Sequence, residues 1–493
     1  MKNPNIVMIL CDDLGWGDIS CLNPDSKINT PCIDQFASEG LSFTNAHAPS
    51  AVCTPSRYST LTGRYCWRTK ELKESVNSGY SPALIKNGRK TIATELKKVG
   101  YNTACIGKWH IGMDWQMREG APPHQDLCKT NQEEVGSRVD FTKEVANAPV
   151  DCGFDYYYGI SGSLDMPPFA WMENNKLTEV PTEFYPAKDI YGEGRTARGH
   201  GVPNWVQEEV LPTIINKSCQ YIKDNSQKDD PYFLYVPING PHTPVVPNKE
   251  WIGKSGCGLY GDFVMEIDNE VGKILQAIKD GGDETNTIVI FTSDNGPETI
   301  TREYATKYEH QSAWKFRGFK RDNWEGGHRV PMLFRWPKFT RNATNISHYV
   351  ELTDIPATLC DIVGHHVEDD FCEDSFSFSP NILYKDYPPR EFTIHNSVEG
   401  KWAIRKGKWK VLLHAGSGGN DFDIPDDDYP VQVYDMEKDP FETTNLYEQE
   451  KEVVKELKKL CLESIYNGRT SPGINQPVET DGDWRQLAEL VSI

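Results

Sequence analysis

Asn5-Ile-Val-Met-Ile-Leu-Cys-Asp-Asp13, with Gly15 and Gly17 close behind, is the stretch that decides the fold. A continuous apolar run ending in acidic residues is the pattern of a buried parallel strand, covered on both faces and polar only at its carboxyl end. Two more runs share it. Tyr232-Phe-Leu-Tyr-Val-Pro-Ile238 leads into Gly240-Pro-His-Thr-Pro244, and Thr287-Ile-Val-Ile-Phe-Thr292 leads into Ser293-Asp-Asn-Gly296. Between them Val264, Ile267, Val271, Ile274, Leu275 and Ile278 recur at helical spacing, and Gly281-Gly282 predicts the stop. Strands alternating with helices predict an α/β domain, in which sites form outside the carboxyl ends of the strands. The three strands therefore bring Asp12, Asp13, His242, Asp294 and Asn295 to one rim.

The rest of the chain fits around that frame. Its 493 residues are long for one core and predict two domains, a catalytic one over 1–385 and a smaller C-terminal α+β one over 386–493. In the latter, 402–405 and 409–413 read as a hairpin, 431–434 as a further strand and 453–464 as a closing helix. Segments 113–160 and 165–205 are polar, rich in Pro and aromatics, and read as long loops that shape a cleft. The formal net charge of −20 argues against a nucleic-acid binder and makes local clustering of cations necessary for any anionic substrate. No apolar stretch approaches the roughly 20 residues of a membrane span. Thirteen cysteines without any C-x-x-C give no support to a zinc ribbon, and leave paired disulfides and reduced thiols equally open.

One of those cysteines stands in Cys53-Thr-Pro-Ser-Arg57. A lone Cys is usually a small buried hydrophobe. Here C-x-P-x-R is similar to the signature that a maturation enzyme reads in sulfatases, converting the Cys to formylglycine. The resemblance spreads over nearly the whole chain. It includes Ile9-Leu-Cys-Asp-Asp-Leu-Gly-Trp-Gly-Asp18, Gly107-Lys-Trp-His110, Gly240-Pro-His-Thr-Pro244, Thr292-Ser-Asp-Asn-Gly296, Arg317-Gly-Phe-Lys320 with Trp324-Glu-Gly-Gly-His-Arg-Val-Pro331, and Tyr434-Asp-Met-Glu-Lys-Asp-Pro-Phe-Glu-Thr-Thr-Asn-Leu446. Each segment alone is weak; together, in family order, they resemble the formylglycine-dependent sulfatases of the alkaline-phosphatase-like superfamily.

What that resemblance implies is specific. The fold would be an alkaline-phosphatase-like mixed sheet flanked by helices, with a small antiparallel sheet plus helix after it. Asp12, Asp13, Asp294 and Asn295 offer three carboxylates and an amide, the oxygen set of a hard divalent cation, and the family implies Ca²⁺. The nucleophile would be a hydroxyl of hydrated formylglycine at position 53. Arg57, one helical turn on, and Lys108 would hold it, with His110 taking a proton from its second hydroxyl. His242 and Lys320 would contact the sulfate, and one of them would protonate the departing alcohol. Ser163 corresponds to a hydroxyl near the nucleophile. One departure stands out: a Gly-Lys-Gly-Thr-Thr type of stretch is replaced by Phe319-Lys-Arg-Asp-Asn323, which leaves the role of Arg321 open.

For substrate, the 162–174 and 325–329 segments resemble bacterial N-acetylgalactosamine-6-sulfatase-like enzymes. A sulfated carbohydrate is expected, with 6-O-sulfate on a galacto-configured sugar first in line. Trp109, Trp171, Arg198, His200 and His328 are candidates for a sugar subsite, because sugars stack on aromatics and bond to Arg and His. Relatives of this kind suggest a periplasmic or secreted protein whose signal segment has been removed. Two rivals are kept open: a formylglycine-dependent phosphodiester or phosphonate monoester hydrolase, and a silent binder of sulfated glycans.

Overall fold

A computed structural model describes residues 2–69, 78–121, 132–340, 342–383, 390–420, 422, 429–478 and 485–492. Ile6, Met8 and Leu10 of the Asn5–Asp12 strand point into one apolar core, and Val7, Ile9 and Cys11 into another. This alternation places the strand in the middle layer of three. One core is closed by the helices Cys53–Thr62, Ile92–Lys98 and Ile355–Ile362, the other by Pro31–Ser38, Val210–Asn225 and Gly258–Asp280.

The middle layer is a ten-stranded mixed sheet. Its centre is parallel: Asn5–Asp12 lies between Thr287–Ser293 and Tyr232–Pro241, and Asn102–Lys108 and Tyr156–Ile160 continue outward. Met332–Arg335 runs antiparallel against Thr287–Ser293 and is followed by Leu41–Phe43 and Thr344–Ile346. The other edge is the hairpin Met172–Glu173 and Lys176–Leu177. All three strands predicted from apolar runs are central, and the predicted helix runs from Gly258 to Asp280 with Gly281 as its cap.

Two central strands lie where none was predicted. Asn102–Lys108 precedes the Lys108 motif, and Tyr156–Ile160 falls inside a segment read as loop. Gly107, at φ 143°, is required in the first of these: a Cβ there would sit 2.0 Å from the Pro237 carbonyl oxygen.

After residue 390 comes a separate antiparallel sheet in the order Phe392–Asn396, Trp402–Lys406, Trp409–Leu412 and Gln432–Asp435. The helix Lys451–Tyr466 covers it with Val454, Leu457, Cys461 and Ile465. The expected boundary at 385/386 lies outside the described residues. The sheet is fastened to the larger layer by buried ion pairs: Arg390 reaches Glu351 at 2.7 Å and Asp354 at 2.8 Å, and Lys410 reaches Glu325 at 3.1 Å. Cys128 apart, which lies outside the described residues, the twelve cysteines are all unpaired. No helix among the described residues is long and apolar enough to cross a membrane.

Candidate active site

The rim predicted from the strand ends is real and deeply buried. Asp12 closes its strand, and Asp13 turns out of it with φ 63°. Asp294 and Asn295 follow the neighbouring strand; the Asp294 amide donates to the Cys11 carbonyl at 3.1 Å. The Asn295 amide nitrogen donates to Asp13 Oδ1 at 2.7 Å, and the Asp13 amide donates to Asp294 Oδ1 at 3.2 Å. Gly296 lets this turn sit against the Gly326 carbonyl, 1.9 Å from where a Cβ would stand.

Cations are packed into the same space. Arg57 donates to Asp294 Oδ2 through Nε at 2.8 Å, and its Nη2 forms ion pairs with Asp294 Oδ2 at 2.7 Å and Asp12 Oδ1 at 3.3 Å. Lys108 Nζ donates to Asp12 Oδ2 at 2.6 Å and to Ser163 Oγ at 3.1 Å. Ser163 Oγ is also 3.2 Å from His242 Nδ1. Lys320 Nζ donates to Asp13 Oδ2 at 2.7 Å, with His242 Nε2 3.7 Å from the same oxygen. His242 and Lys320, at 5% and 4% exposure, are the groups of this set nearest the opening, since Asp12, Asp13, Asp294, Asn295, Arg57, Lys108 and His110 are all at 0%.

Cys53 is the first residue of the Cys53–Thr62 helix, and its Sγ lies 3.3 Å from His110 Nδ1. His110, at φ 52°, is fixed by its amide on the Ser161 carbonyl at 3.0 Å and by Thr54 Oγ1 on its own carbonyl at 3.0 Å. Burial pushes the Cys53 thiol up to about 11, more than Lys108 and Lys320 can lower it. An unaltered Cys53 is thus a neutral thiol, a poor nucleophile.

The carboxylates titrate apart. Burial, aided by Asp12 and Asp13 and opposed by Arg57, pushes Asp294 up to about 7. Burial also works against ionised Asp12, but Lys108, His242 and Arg57 override it and hold that carboxyl well below the usual range. Two oxygens remain without a hydrogen bond: Asp12 Oδ1 and Asn295 Oδ1. Ligand atoms of Asp12, Cys53 and Asp294, and of Asp12, Asp13 and His242, cluster within 4.8 Å. Crowded carboxylates, unsatisfied buried oxygens and an amide fit a hard divalent cation, which would relieve what now raises Asp294.

Two participants were missed or left open by sequence reading. Glu298, two residues beyond Gly296, lies 3.4 Å from Lys320 Nζ and is held well below the carboxylate range despite burial, by Lys320 and then Arg321. Arg321 grips both Glu298 oxygens, one at 2.8 Å, which answers the question its replacement of a small residue had raised. The signal was its position beside Lys320.

The proposed sugar contacts do not hold together as a group. Trp109 is 1% exposed, donates its indole N–H to the Gly112 carbonyl at 3.0 Å and belongs to the core; no sugar can stack on it. His328 is at 0% exposure, stacked on His395 with ring centroids 4.1 Å apart, and is likewise removed from the subsite. Trp171 is half-buried, stacked on Tyr158 at 5.1 Å. Arg198 is exposed and pairs with Glu133 at 3.0 Å, and His200 lies between Phe141 and Phe184, each 5.6 Å away.

Layered mixed sheet and acid-and-cation rim together define a hydrolase of the alkaline-phosphatase-like class. The Sulfatase family profile matches residues 4–365, and the N-sulphoglucosamine sulphohydrolase C-terminal profile matches 316–466. The chain belongs to the sulfatase family and is a sulfuric ester hydrolase. It is 31% identical to N-acetylgalactosamine-6-O-sulfatase of Bacteroides thetaiotaomicron, over 94% of this chain and 93% of that one. Human arylsulfatase A is 30% identical over 90% of this chain and 83% of its own. A solved structure from work on glycosaminoglycan metabolism by Bacteroides thetaiotaomicron superposes with a TM-score of 0.79 at 30% identity, covering 94% of this chain and 99% of that one. Members of the family generally use formylglycine and a divalent metal.

Proposed function

We propose that this protein hydrolyses sulfate esters of a carbohydrate, with formylglycine made from Cys53 as nucleophile and Ca²⁺ held by Asp12, Asp13, Asp294 and Asn295. The observation that carries the reading is Cys53 Sγ at 3.3 Å from His110 Nδ1, in one cluster with the Asp12 and Asp294 carboxylates. The names of two relatives, an N-acetylgalactosamine-6-O-sulfatase and an N-acetylgalactosamine-6-sulfatase of mouse, support a 6-O-sulfated galacto-configured sugar.

Each side chain then has a task set by its position. The cation, when bound, screens the sulfate charge and makes the hydroxyl at position 53 easier to deprotonate. Arg57 keeps the Cys53 helix seated against Asp294. Lys108 and Ser163 direct donors toward the space in front of position 53. With formylglycine at position 53, His110 would be the base placed to accept a proton from its hydrated side chain, the chemistry that would allow sulfate to leave without a second attacking water. His242 and Lys320, nearest the opening, lie on the side from which the sugar enters, and one of them gives a proton to the departing alcohol oxygen. Arg321 shares Glu298 with Lys320, so that carboxylate is not neutralised by Lys320 alone.

A maturation enzyme that recognises Cys53, Pro55 and Arg57 is the implied partner, and we propose a periplasmic or secreted location, where a sulfated polymer would be met. The test is free sulfate and free phosphate released from 2-, 3-, 4- and 6-O-sulfated sugars and matched phosphate esters. The protein is co-expressed with the maturation enzyme and formylglycine at position 53 is verified by mass. Sulfate from one sugar class, lost in Cys53→Ala, is the expected result. Phosphate without sulfate would transfer the protein to the phosphoesterases, and sugar binding with neither product would make it a silent glycan binder.

A further inference from the structure

A cavity of about 480 Å³ is lined by none of the residues used in the chemistry above. It is built by residues 183–208, which fold as two short antiparallel pairs, 183–185 with 199–201 and 188–189 with 195–196. Both walls are pinned to segments that carry catalytic donors. Gln207 Nε2, from one wall, donates to the carbonyl of Leu164 at 3.1 Å, the residue after Ser163. On the other side the Val245 amide donates to the Glu193 carbonyl at 3.0 Å, and Gly194 packs against Pro244, two residues from His242.

The lining is aromatic with a few polar groups, the composition of a small-molecule site rather than a packing defect. Tyr185, Tyr191 and Trp205 supply aromatic rings; Asp189 and Glu208 supply carboxylates. Tyr191 is 54% exposed and Val206 47%, among the most exposed large apolar side chains described, and both stand on this cavity. The Trp205 ring is 5.6 Å from Trp171, which lies 5.1 Å from Tyr158, so the aromatic surface continues beyond the cavity.

We infer that this cavity is a subsite for an uncharged sugar ring next to the sulfated one. It rests on the carbohydrate sulfatase reading and deepens it. The aromatic faces match the C–H face of a pyranose, and the carboxylates match its hydroxyls. Charge selects among sugars. Two carboxylates, Asp189 and Glu208, outweigh the single Lys188 on the lining, so a uronic acid or a second sulfate ester is disfavoured there. The enzyme is therefore shaped for an oligosaccharide with a neutral residue beside the sulfated one, and Tyr191 and Trp205 determine that preference.

Three probes decide it: N-acetylgalactosamine 6-sulfate alone, the same sugar linked to a neutral hexose, and the same sugar linked to a uronic acid. With matured enzyme, kcat/KM for the neutral disaccharide exceeds that for the monosaccharide by roughly tenfold, and the uronic-acid disaccharide gains nothing. Tyr191→Ala and Trp205→Ala bring the ratio of neutral disaccharide to monosaccharide down to about one, while Tyr191→Phe and Trp205→Phe retain most of it. Calorimetry on Cys53→Ala with the same sugars reads binding without turnover. The same order of affinities without sulfate release would keep the subsite and overturn the sulfatase reading. Sulfate release with equal efficiency on all three probes would do the reverse, and a preference for the uronic-acid disaccharide would overturn the assignment to a neutral ring.

Discussion

Among the described residues, two buried clusters have the donor atoms to hold a metal, and they differ in everything else. At the rim, Asp12, Asp13 and Asp294 crowd together with oxygens left unsatisfied and cations on every side. Beneath the C-terminal sheet, His47, His328 and His395 also converge within 4.8 Å. There the ring nitrogens are all engaged: His47 with His328 at 3.0 Å, His328 with the Asn323 carbonyl at 3.1 Å, and His395 with the Ala48 carbonyl at 2.9 Å and the Tyr349 hydroxyl at 2.8 Å. Burial first, and then neighbouring cations including Arg329 and Lys410, lower the imidazole pKa values, so the rings are neutral. Proximity of donors does not make a site; spare lone pairs facing an opening do. The histidine cluster joins the small sheet to the large layer.

That contrast can be broken at several points. The largest effect is expected from Cys53→Ala, which should reduce sulfate release by at least about 10⁴-fold without changing the melting temperature; residual turnover near wild type would remove Cys53 from the chemistry. Next, Asp12→Asn should weaken cation binding and reduce activity by more than about 100-fold, and chelation followed by Ca²⁺ should restore the wild type. Full activity in protein shown to be metal-free would sink the rim as a cation site. Arg321→Ala should be milder, raising KM by roughly tenfold as Glu298 draws Lys320 away from the substrate, with Arg321→Lys recovering part of it. A fall in kcat at constant KM would contradict that role.

The smallest effect on activity is expected at the histidine cluster. His395→Gln should leave kcat/KM within about threefold of wild type and cation binding unchanged. Its signature is in acid stability. His395 is pushed down to about 3 in the folded protein by burial and then Lys410. The unfolded chain therefore takes up this proton first, near pH ~6.5. Stability that is complete above that pH is lost as the pH falls toward 3, by up to about 1.4 kcal/mol per pH unit for each such ring. Urea midpoints between about pH 7 and pH 5 should fall less steeply in His395→Gln. An unchanged slope would mean the ring is not held neutral.

How far the sequence reveals this molecule depends on where each residue's information resides. Asn5–Asp12, Tyr232–Pro241 and Thr287–Ser293 are buried on both faces, and an apolar run reports that directly. Asn102–Lys108 is equally central, yet its apolar stretch is only Ala104-Cys-Ile106. Tyr156–Ile160 hides among tyrosines that also suit a loop. The Cys53–Thr62 helix is buried all round, so it carries no apolar stripe; only its motif gave it away. Asp12, Asp13, Asp294 and Asn295 were legible because strand ends meet by topology. Trp109 and His328 misled because residue type says what a side chain could contact and nothing about how deep it sits.

All ten residues of the Cys53–Thr62 helix are buried, Cys53 itself at 2% exposure. Under the proposed conversion, an enzyme that must grasp Cys53, Pro55 and Arg57 has access to them only while the chain is still open. Tailoring and folding then run against each other as a race during synthesis, and the fraction of competent protein is set by a clock. A slower-folding chain would be modified more fully, and a fast one would lock an inert thiol inside a perfect fold.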